Sequence, residues 1–397
     1  MASLLPKQTM KYKLSSDTWD HNEISALTRV MKSGMYTMGT EVRAYENQFA
    51  EFMGAKHAVM TNSGSSANLI TLAALRYHPK FKQKENGNII VPAVSWSTTF
   101  FPVHQLGYKL KFVDVGLQSF NMEPETVEAA IDENTVAVFA VNLLGNPCKL
   151  QELKEVCDRK GVVLLEDNCE SLGAKIDNKQ CGTFGEMGTF SFFFSHHLQT
   201  MEGGMVLTND DSLSDYLRSL RAHGWIRDDR FGTFNRSGDP LRDSFNFVLP
   251  GYCVRPLEMS GATGQEQLKK WPQMLIQRRK NAMVAQDVFW GREEVYLQEE
   301  HRASSWFGFG LVLTGSLEGK RDLVISNLTK AGVECRPIVA GNFTKNPVIK
   351  HMNVIPFYDD EFPNADYIDK NGFFIGNDSV PLEMEIREVG KIIAYSK

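Results

Sequence analysis

The groups in this chain best able to do chemistry are concentrated in Ser191-Phe-Phe-Phe-Ser-His-His-Leu-Gln-Thr-Met-Glu-Gly-Gly204 and in Glu166-Asp-Asn-Cys-Glu170 upstream of it. Asp167 closes the apolar run Val162-Val-Leu-Leu-Glu-Asp, where a carboxylate must find a partner. A pyridinium nitrogen is one such partner, and pairing with it keeps the ring protonated and able to draw in electrons. Capping of the next segment is the alternative use of Asp167. Two histidines, His196 and His197, follow Ser195. An imidazole titrates near working pH and suits a base beside a cofactor. Tandem histidines also occur as zinc ligands, but neighbours on a strand point to opposite faces, and no third ligand accompanies these at sensible spacing. His197, on the alternate face, is expected to be a structural histidine with its hydrogen bonds satisfied. Lysine is absent from Lys179 to Lys269, so a Schiff-base anchor cannot come from this stretch, and His196 stands where one is expected. The pattern is that of a pyridoxal-phosphate site without its lysine.

Two further segments supply parts of such a site. In Asn62-Ser-Gly-Ser-Ser-Ala-Asn68 the amides and hydroxyls around Gly64 and Ser65 fall at the start of a helix, where a phosphate is favoured; a Ser/Gly turn that only caps the helix is the plainer reading. Val91-Pro-Ala-Val-Ser-Trp-Ser-Thr-Thr99 places Trp96 just past a strand, able either to stack on a flat heteroaromatic ring or to fill an interface.

These segments need a scaffold that brings distant residues together, and the apolar periodicity describes one. Helical spacing over 21–33 and 41–53 ends at Gly34 and Gly54, both placed as C-caps. From His57 onward, β-branched runs at 57–62, 88–94, 109–114, 135–142 and 162–167 alternate with helices at 65–77, 97–106, 124–132 and 149–160. This alternation predicts an α/β fold with a mostly parallel sheet covered by helices, which binds ligands at the carboxyl ends of its strands. Strands at 188–194 and 203–208 and a helix at 211–222 follow. The polar stretch 226–243 reads as a substrate loop or an oligomer arm. Helices at 256–271 and 273–290 then lead into a smaller C-terminal α/β unit with strands near 304–314 and 333–337 and a helix at 319–331. The boundary is placed at Pro272, giving a large domain of residues 1–272 and a small domain of 273–397.

Bulk properties narrow the class. The 397 residues are 42% hydrophobic and 23% charged with a net charge of -5, and the cations are scattered, which points away from nucleic acid. Neither a signal peptide in Met1-Ala-Ser-Leu-Leu-Pro-Lys7 nor a membrane-spanning run is indicated, so a cytoplasmic location is expected. Cys148, Cys157, Cys169, Cys181, Cys253 and Cys335 form no close pair, so neither a metal nor disulfides are implied.

Met35-Tyr-Thr-Met-Gly39, Val91 to Thr99, Val141-Asn-Leu-Leu-Gly-Asn-Pro147, Leu165-Glu-Asp-Asn-Cys-Glu-Ser171, Ser195-His-His197 and Arg221-Ala-His-Gly-Trp225 together resemble the fold-type I sugar aminotransferase family (DegT/DnrJ/EryC1/StrS). The resemblance spans essentially the whole chain. It implies a pyridoxal 5'-phosphate or pyridoxamine 5'-phosphate cofactor, a nucleotide-linked keto sugar as substrate, and a homodimer with shared active sites. Within the family the pieces are most similar to the branch in which histidine replaces lysine. That branch takes the 3-hydroxyl from GDP-4-keto-6-deoxy-D-mannose, with L-glutamate as amino donor, on the way to colitose in lipopolysaccharide O-antigen. Position by position, the resemblance implies His196 as the catalytic base and acid, and cofactor contacts from Gly64, Ser65, Trp96, Asp167, Glu170 and Ser191. Substrate contacts are implied for Gly34, Met35, Tyr36, Thr37, His223, Arg227, Arg255 and Glu334. Cys253 departs from the pattern, standing where the family has an Asn that reaches the cofactor phosphate of the neighbouring subunit. A thiol is a weak donor, so weaker cofactor retention is expected. Three rivals remain at this point: a nucleotide-sugar 4-aminotransferase of the perosamine-synthase kind, opposed by the missing lysine; an iron-sulfur 3-dehydratase, opposed by the scattered cysteines; and a non-catalytic sugar-nucleotide binding protein, opposed by Asp167, Glu170 and Ser191.

Overall fold

The computed structural model describes residues 11–358 and 360–396, so the reading made of Met1 to Lys7 lies outside the described residues. Helices α1 (His21–Ser33) and α2 (Thr40–Met53) come first. Asp20 caps α1 in a reciprocal box with Glu23, and both helices end on a left-handed glycine, Gly34 at φ 71° and Gly54 at φ 69°. There follow β1 (His57–Thr61), α3 (Gly64–Tyr77), β2 (Asn88–Pro92), α4 (Ser97–Gln105), β3 (Lys109–Val113), α5 (Pro124–Ala130), β4 (Thr135–Val141), α6 (Leu150–Lys160) and β5 (Val163–Asp167). A small hairpin, β6 (Lys175–Ile176) and β7 (Lys179–Gln180), leads to β8 (Met187–Ser191), β9 (Gly204–Thr208) and α7 (Asp211–Arg221).

Seven of these strands form one sheet in the order β1-β9-β8-β5-β4-β2-β3. Neighbours from β8 through β3 pair in parallel, while β9 runs antiparallel to both β1 and β8. The mostly parallel sheet expected from the alternation is therefore present. Both faces are covered, as a parallel sheet requires. In β4, Phe139 and Val141 join one core cluster, and Val138 and Ala140 join another on the opposite face.

After the one-turn helix α8 (Pro240–Asp243), a single helix α9 runs from Glu258 to Phe289. Periodicity had suggested two helices split at Pro272, yet the chain continues through that residue. Proline removes one backbone donor. Packing outweighs this loss because Leu268, Trp271 and Met274 are built into the core under α2 and β9, while Ala282, Ala285 and Phe289 are built into the C-terminal core. Both halves of α9 are thus held by separate apolar cores.

The C-terminal part contains β10 (Val295–Leu297), β11 (Gly308–Leu313), α10 (Arg321–Lys330), β12 (Cys335–Arg336), α11 (Pro363–Asn371), β13 (Gly372–Gly376) and α12 (Glu383–Ala394). Its four strands form an antiparallel sheet in the order β10-β11-β13-β12. Among the described residues, no helix is long and apolar enough to cross a membrane.

Candidate active site

A cavity of about 320 Å³ opens at the carboxyl ends of β1, β2, β4, β5 and β8. One wall is the start of α3. Ser63 is its N-cap, with Oγ accepting from the Ser66 amide at 3.1 Å, which leaves the Gly64 and Ser65 amides at the helix start without an intrahelical acceptor. The chain is packed here to backbone contact. A Cβ on Gly64 would lie 2.6 Å from the Ser191 Cβ and 2.8 Å from the Cys169 Sγ, and one on Gly204 would collide with the Ser63 carbonyl oxygen. Glycine at both positions therefore leaves a shallow cradle of amides beside Ser65 and Ser191, shaped and charged for a phosphate. Ser65 Oγ donates to Thr98 Oγ1 at 2.8 Å, which ties this wall to α4.

The floor is the end of β5. Asp167 is buried, and its Oδ2 accepts from Asn68 Nδ2 at 2.8 Å and Thr99 Oγ1 at 2.9 Å, while its Oδ1 accepts from the Cys169 amide at 3.1 Å. Asn68 is itself oriented by Thr189 Oγ1, which donates to its Oδ1 at 2.6 Å. Asp167 also lines the cavity. Trp96, the N-cap of α4, is 57% exposed and forms the rim. Glu170 accepts the Leu144 amide at 3.1 Å, and burial, added to by the nearby Asp167 charge, raises its pKa to about 7 despite that hydrogen bond.

His196 does not continue β8, which ends at Ser191; it sits on a turn closed by its own amide to the Phe193 carbonyl at 2.8 Å. Its ring lines the cavity and places Nδ1 2.8 Å from the Cys169 carbonyl oxygen. A carbonyl only accepts, so Nδ1 carries the proton and Nε2 keeps a lone pair. Burial among aromatic neighbours lowers the pKa to about 4, opposed by the Cys169 carbonyl and the Asp167 charge. His197 turns away into the core, edge-on to Trp271 at 4.9 Å. It is structural as expected, but its ring nitrogens find no hydrogen-bond partner of ordinary geometry among the described residues; aromatic packing fixes it instead, and burial holds its pKa well down.

Gly64, Ser65, Trp96, Asp167, Glu170, Ser191 and His196 are thus gathered in one cavity. The sequence reading missed Glu202, Phe307 and Arg336, which also line it. Gly34 to Thr37, His223, Arg227, Cys253, Arg255 and Glu334 do not line it in this chain. For Glu334 the reason is visible: its carboxylate accepts the Leu14 amide at 3.1 Å, and Arg336 takes the place on the wall. His223, Arg227, Cys253 and Arg255 form a second group around Trp225. The Arg227 guanidinium lies 4.0 Å and that of Arg255 6.0 Å from the ring centre of Trp225, and His223 packs edge-on to the same indole at 5.0 Å. Cys253 pairs with Ala222 and its Sγ meets Arg255 Nη2 at 3.6 Å. Thr37 pairs with Leu257, leaving Met35 and Tyr36 exposed. Among the described residues, no group of three or more His, Cys, Asp or Glu side chains is arranged to hold a metal ion.

The sheet order, the helix start facing a cradle, and the carboxylate on the floor define a fold-type I pyridoxal-phosphate-dependent transferase. The chain belongs to the DegT/DnrJ/EryC1/StrS aminotransferase family, whose model matches residues 17–388. It is 47% identical over 394 residues to GDP-4-keto-6-deoxy-D-mannose 3-dehydratase of Yersinia pseudotuberculosis, covering 98% of this chain and 99% of that one. It superposes with a TM-score of 0.93 on the E. coli GDP-4-keto-6-deoxy-D-mannose-3-dehydratase with bound hydrated PLP, at 46% identity over 97% of this chain and 100% of that one. A GDP-4-keto-6-deoxymannose-3-dehydratase with a trapped PLP-glutamate geminal diamine gives the same TM-score of 0.93 at 46% identity, over 96% of this chain and 100% of that one.

Proposed function

We propose that this chain is an enzyme that removes the 3-hydroxyl of GDP-4-keto-6-deoxy-D-mannose to give GDP-4-keto-3,6-dideoxy-D-mannose, with L-glutamate as amino donor and 2-oxoglutarate and ammonia released. Its cofactor is pyridoxal 5'-phosphate, worked through the pyridoxamine form. The observation that supports the reading is the cavity lining: it gathers Gly64, Ser65, Trp96, Asp167, Glu170 and Ser191 around the His196 imidazole, with no lysine among the described residues that line it.

When bound, the cofactor supplies an amine for the 4-keto group and an electron-withdrawing ring. The residues do the rest. The α3 amides with Ser65 and Ser191 would hold the phosphate, Asp167 would keep the ring nitrogen protonated, and Trp96 would offer an aromatic surface to the ring. His196, neutral and with Nε2 free, takes a proton and returns it to the departing C3 oxygen, so one imidazole acts as base and then as acid. Glu170, poised near neutrality beside the ring, can hold or release a proton there. A lysine at position 196 would anchor the cofactor and favour an amino product; its absence turns the outcome to deoxygenation. The alternative of a 4-aminotransferase is therefore not favoured.

His223, Arg227 and Arg255 stand outside this chain's own cavity, which fits a homodimer in which each subunit offers these side chains to the partner's site. A cytoplasmic location agrees with such a role in sugar-nucleotide synthesis. Mass analysis of the product formed from GDP-4-keto-6-deoxy-D-mannose and glutamate tests the reading. A product lighter by one oxygen is expected; an amino sugar overturns it.

A further inference from the structure

The imidazole of His196 is flanked by a residue that arrives from the C-terminal sheet. Phe307 immediately precedes β11, and its position is fixed through its backbone. Its amide donates to the Leu144 carbonyl at 3.0 Å, and Arg278 Nη1 donates to the Trp306 and Phe307 carbonyls at 3.4 and 3.3 Å. Gly145, at φ 89°, lies so close that a Cβ on it would sit 2.6 Å from the Trp306 nitrogen and 2.8 Å from that of Phe307. Trp306 is held at φ 49°, a left-handed conformation that is uncommon for a large side chain and persists only where the surroundings enforce it.

The phenyl ring so delivered meets both histidines edge-on. Its centroid lies 5.1 Å from the His196 ring at 75° and 5.4 Å from the His197 ring at 77°. Phe193 also stands against His196, perpendicular at 89° and 5.9 Å. We propose that Phe307 is a positioning residue for the reaction: it clamps the His196 ring against the Cys169 carbonyl, so that the base has one orientation, one tautomer and no water along its apolar edge. The segment leading into the C-terminal sheet thereby sets the state of a base held on the turn that follows β8. This deepens the function proposed above and rests on it only for its kinetic readout.

The charged and titratable groups around the ring are few. Asp167 at the end of β5 draws a proton toward it, and Arg278 on α9 repels one. His197 lies next to it in the chain, and Cys169, Glu170, Glu202 and Arg336 line the same cavity. Removing the phenyl ring leaves these groups in place and admits water. The burial that holds His196 low is then relieved, and its titration moves back toward the ordinary imidazole value.

The test uses the holoenzyme labelled with ¹⁵N-histidine, with the His196 signal assigned by its loss in His196→Asn. In the wild type, the neutral ring is expected to show its proton on Nδ1 and to titrate well below 6.5; a proton on Nε2, or an ordinary midpoint, overturns the proposal without any variant. Phe307→Ala is expected to raise the midpoint by about one pH unit and to mix the tautomers, with the acidic limb of kcat/KM moving up in step. Phe307→Leu, which keeps apolar cover, is expected to shift it less. A folded Phe307→Ala protein with lower activity but the wild-type midpoint and tautomer assigns the phenyl ring a merely structural part and refutes the idea. Should the product prove to be an amino sugar, the proposed function fails while the clamp, read by the ¹⁵N signals, stands or falls by itself.

Discussion

Replacement of Glu46 by Gln should destabilise the fold by roughly 3–5 kcal/mol at neutral pH, the range for stranding a buried charge. Glu46 on α2 is 1% exposed, and its carboxylate accepts from Arg221 Nη1 at 2.6 Å, Arg218 Nη1 at 3.1 Å and the Met60 amide at 2.9 Å. Both guanidiniums are themselves buried. Burial by itself raises the carboxyl pKa, but the two arginines and the Met60 amide overcome it and hold the group at about 2, against an ordinary 4.5. Since each pKa unit is worth about 1.4 kcal/mol, ionic Glu46 contributes about 3 kcal/mol, in agreement with the first figure. The sign follows from a lowered carboxyl pKa: the contribution is complete above pH 4.5 and is lost as pH falls toward 2. The network also reaches the candidate substrate surface, because Arg221 Nη2 donates to Asp228 at 3.2 Å in the loop that carries Arg227. Urea unfolding followed by tryptophan fluorescence, in wild type and Glu46→Gln at pH 7 and at descending pH, measures the difference. A loss under about 1 kcal/mol at pH 7, or a gap that does not narrow with acid, refutes the reasoning.

Asp167→Asn removes the anion proposed to pair with the cofactor ring and should weaken cofactor retention by roughly 10- to 150-fold, the equivalent of about 1.5–3 kcal/mol for a charge-assisted hydrogen bond; dialysis followed by absorbance of the released cofactor reads it, and wild-type retention speaks against the pairing. Cys253→Asn should tighten retention about fivefold, for one neutral hydrogen bond gained across the proposed dimer, and an unchanged affinity means that residue 253 does not reach the phosphate. Mixing inactive His196→Asn with inactive Arg255→Ala subunits and allowing exchange should restore about a quarter of wild-type activity if sites are shared across a twofold axis; no recovery, with exchange verified by mass, excludes the shared site.

Local chemistry made much of this readable from sequence. Gly34 and Gly54 marked helix ends because the left-handed cap conformation favours glycine, and Asp167 announced itself as a carboxylate closing an apolar strand. Residues joined only by the tertiary fold were not readable. Phe307 and Arg336 follow His196 by more than a hundred positions, and nothing in their own neighbourhoods signals a cavity wall. Glu202 lay inside the segment singled out for chemistry, yet a glutamate before two glycines looks like an ordinary solvated turn; the side chain is indeed exposed, and only the folded turn shows that it borders the cavity, where partial desolvation raises its pKa. Pro272 misled in the other direction, since its local penalty is overcome by two cores that grip α9 on either side. Glu334 was captured by Leu14, in a segment whose neighbour Tyr12 pairs with Val333 some 320 positions later in the chain.

The central claim is that the cofactor is worked by an imidazole and is never bonded to the protein. Intact-mass measurement of the holoenzyme after borohydride reduction tests it most directly. The account predicts a polypeptide of unchanged mass with all of the cofactor released on denaturation. A polypeptide heavier by one reduced cofactor, mapped to a lysine, contradicts it.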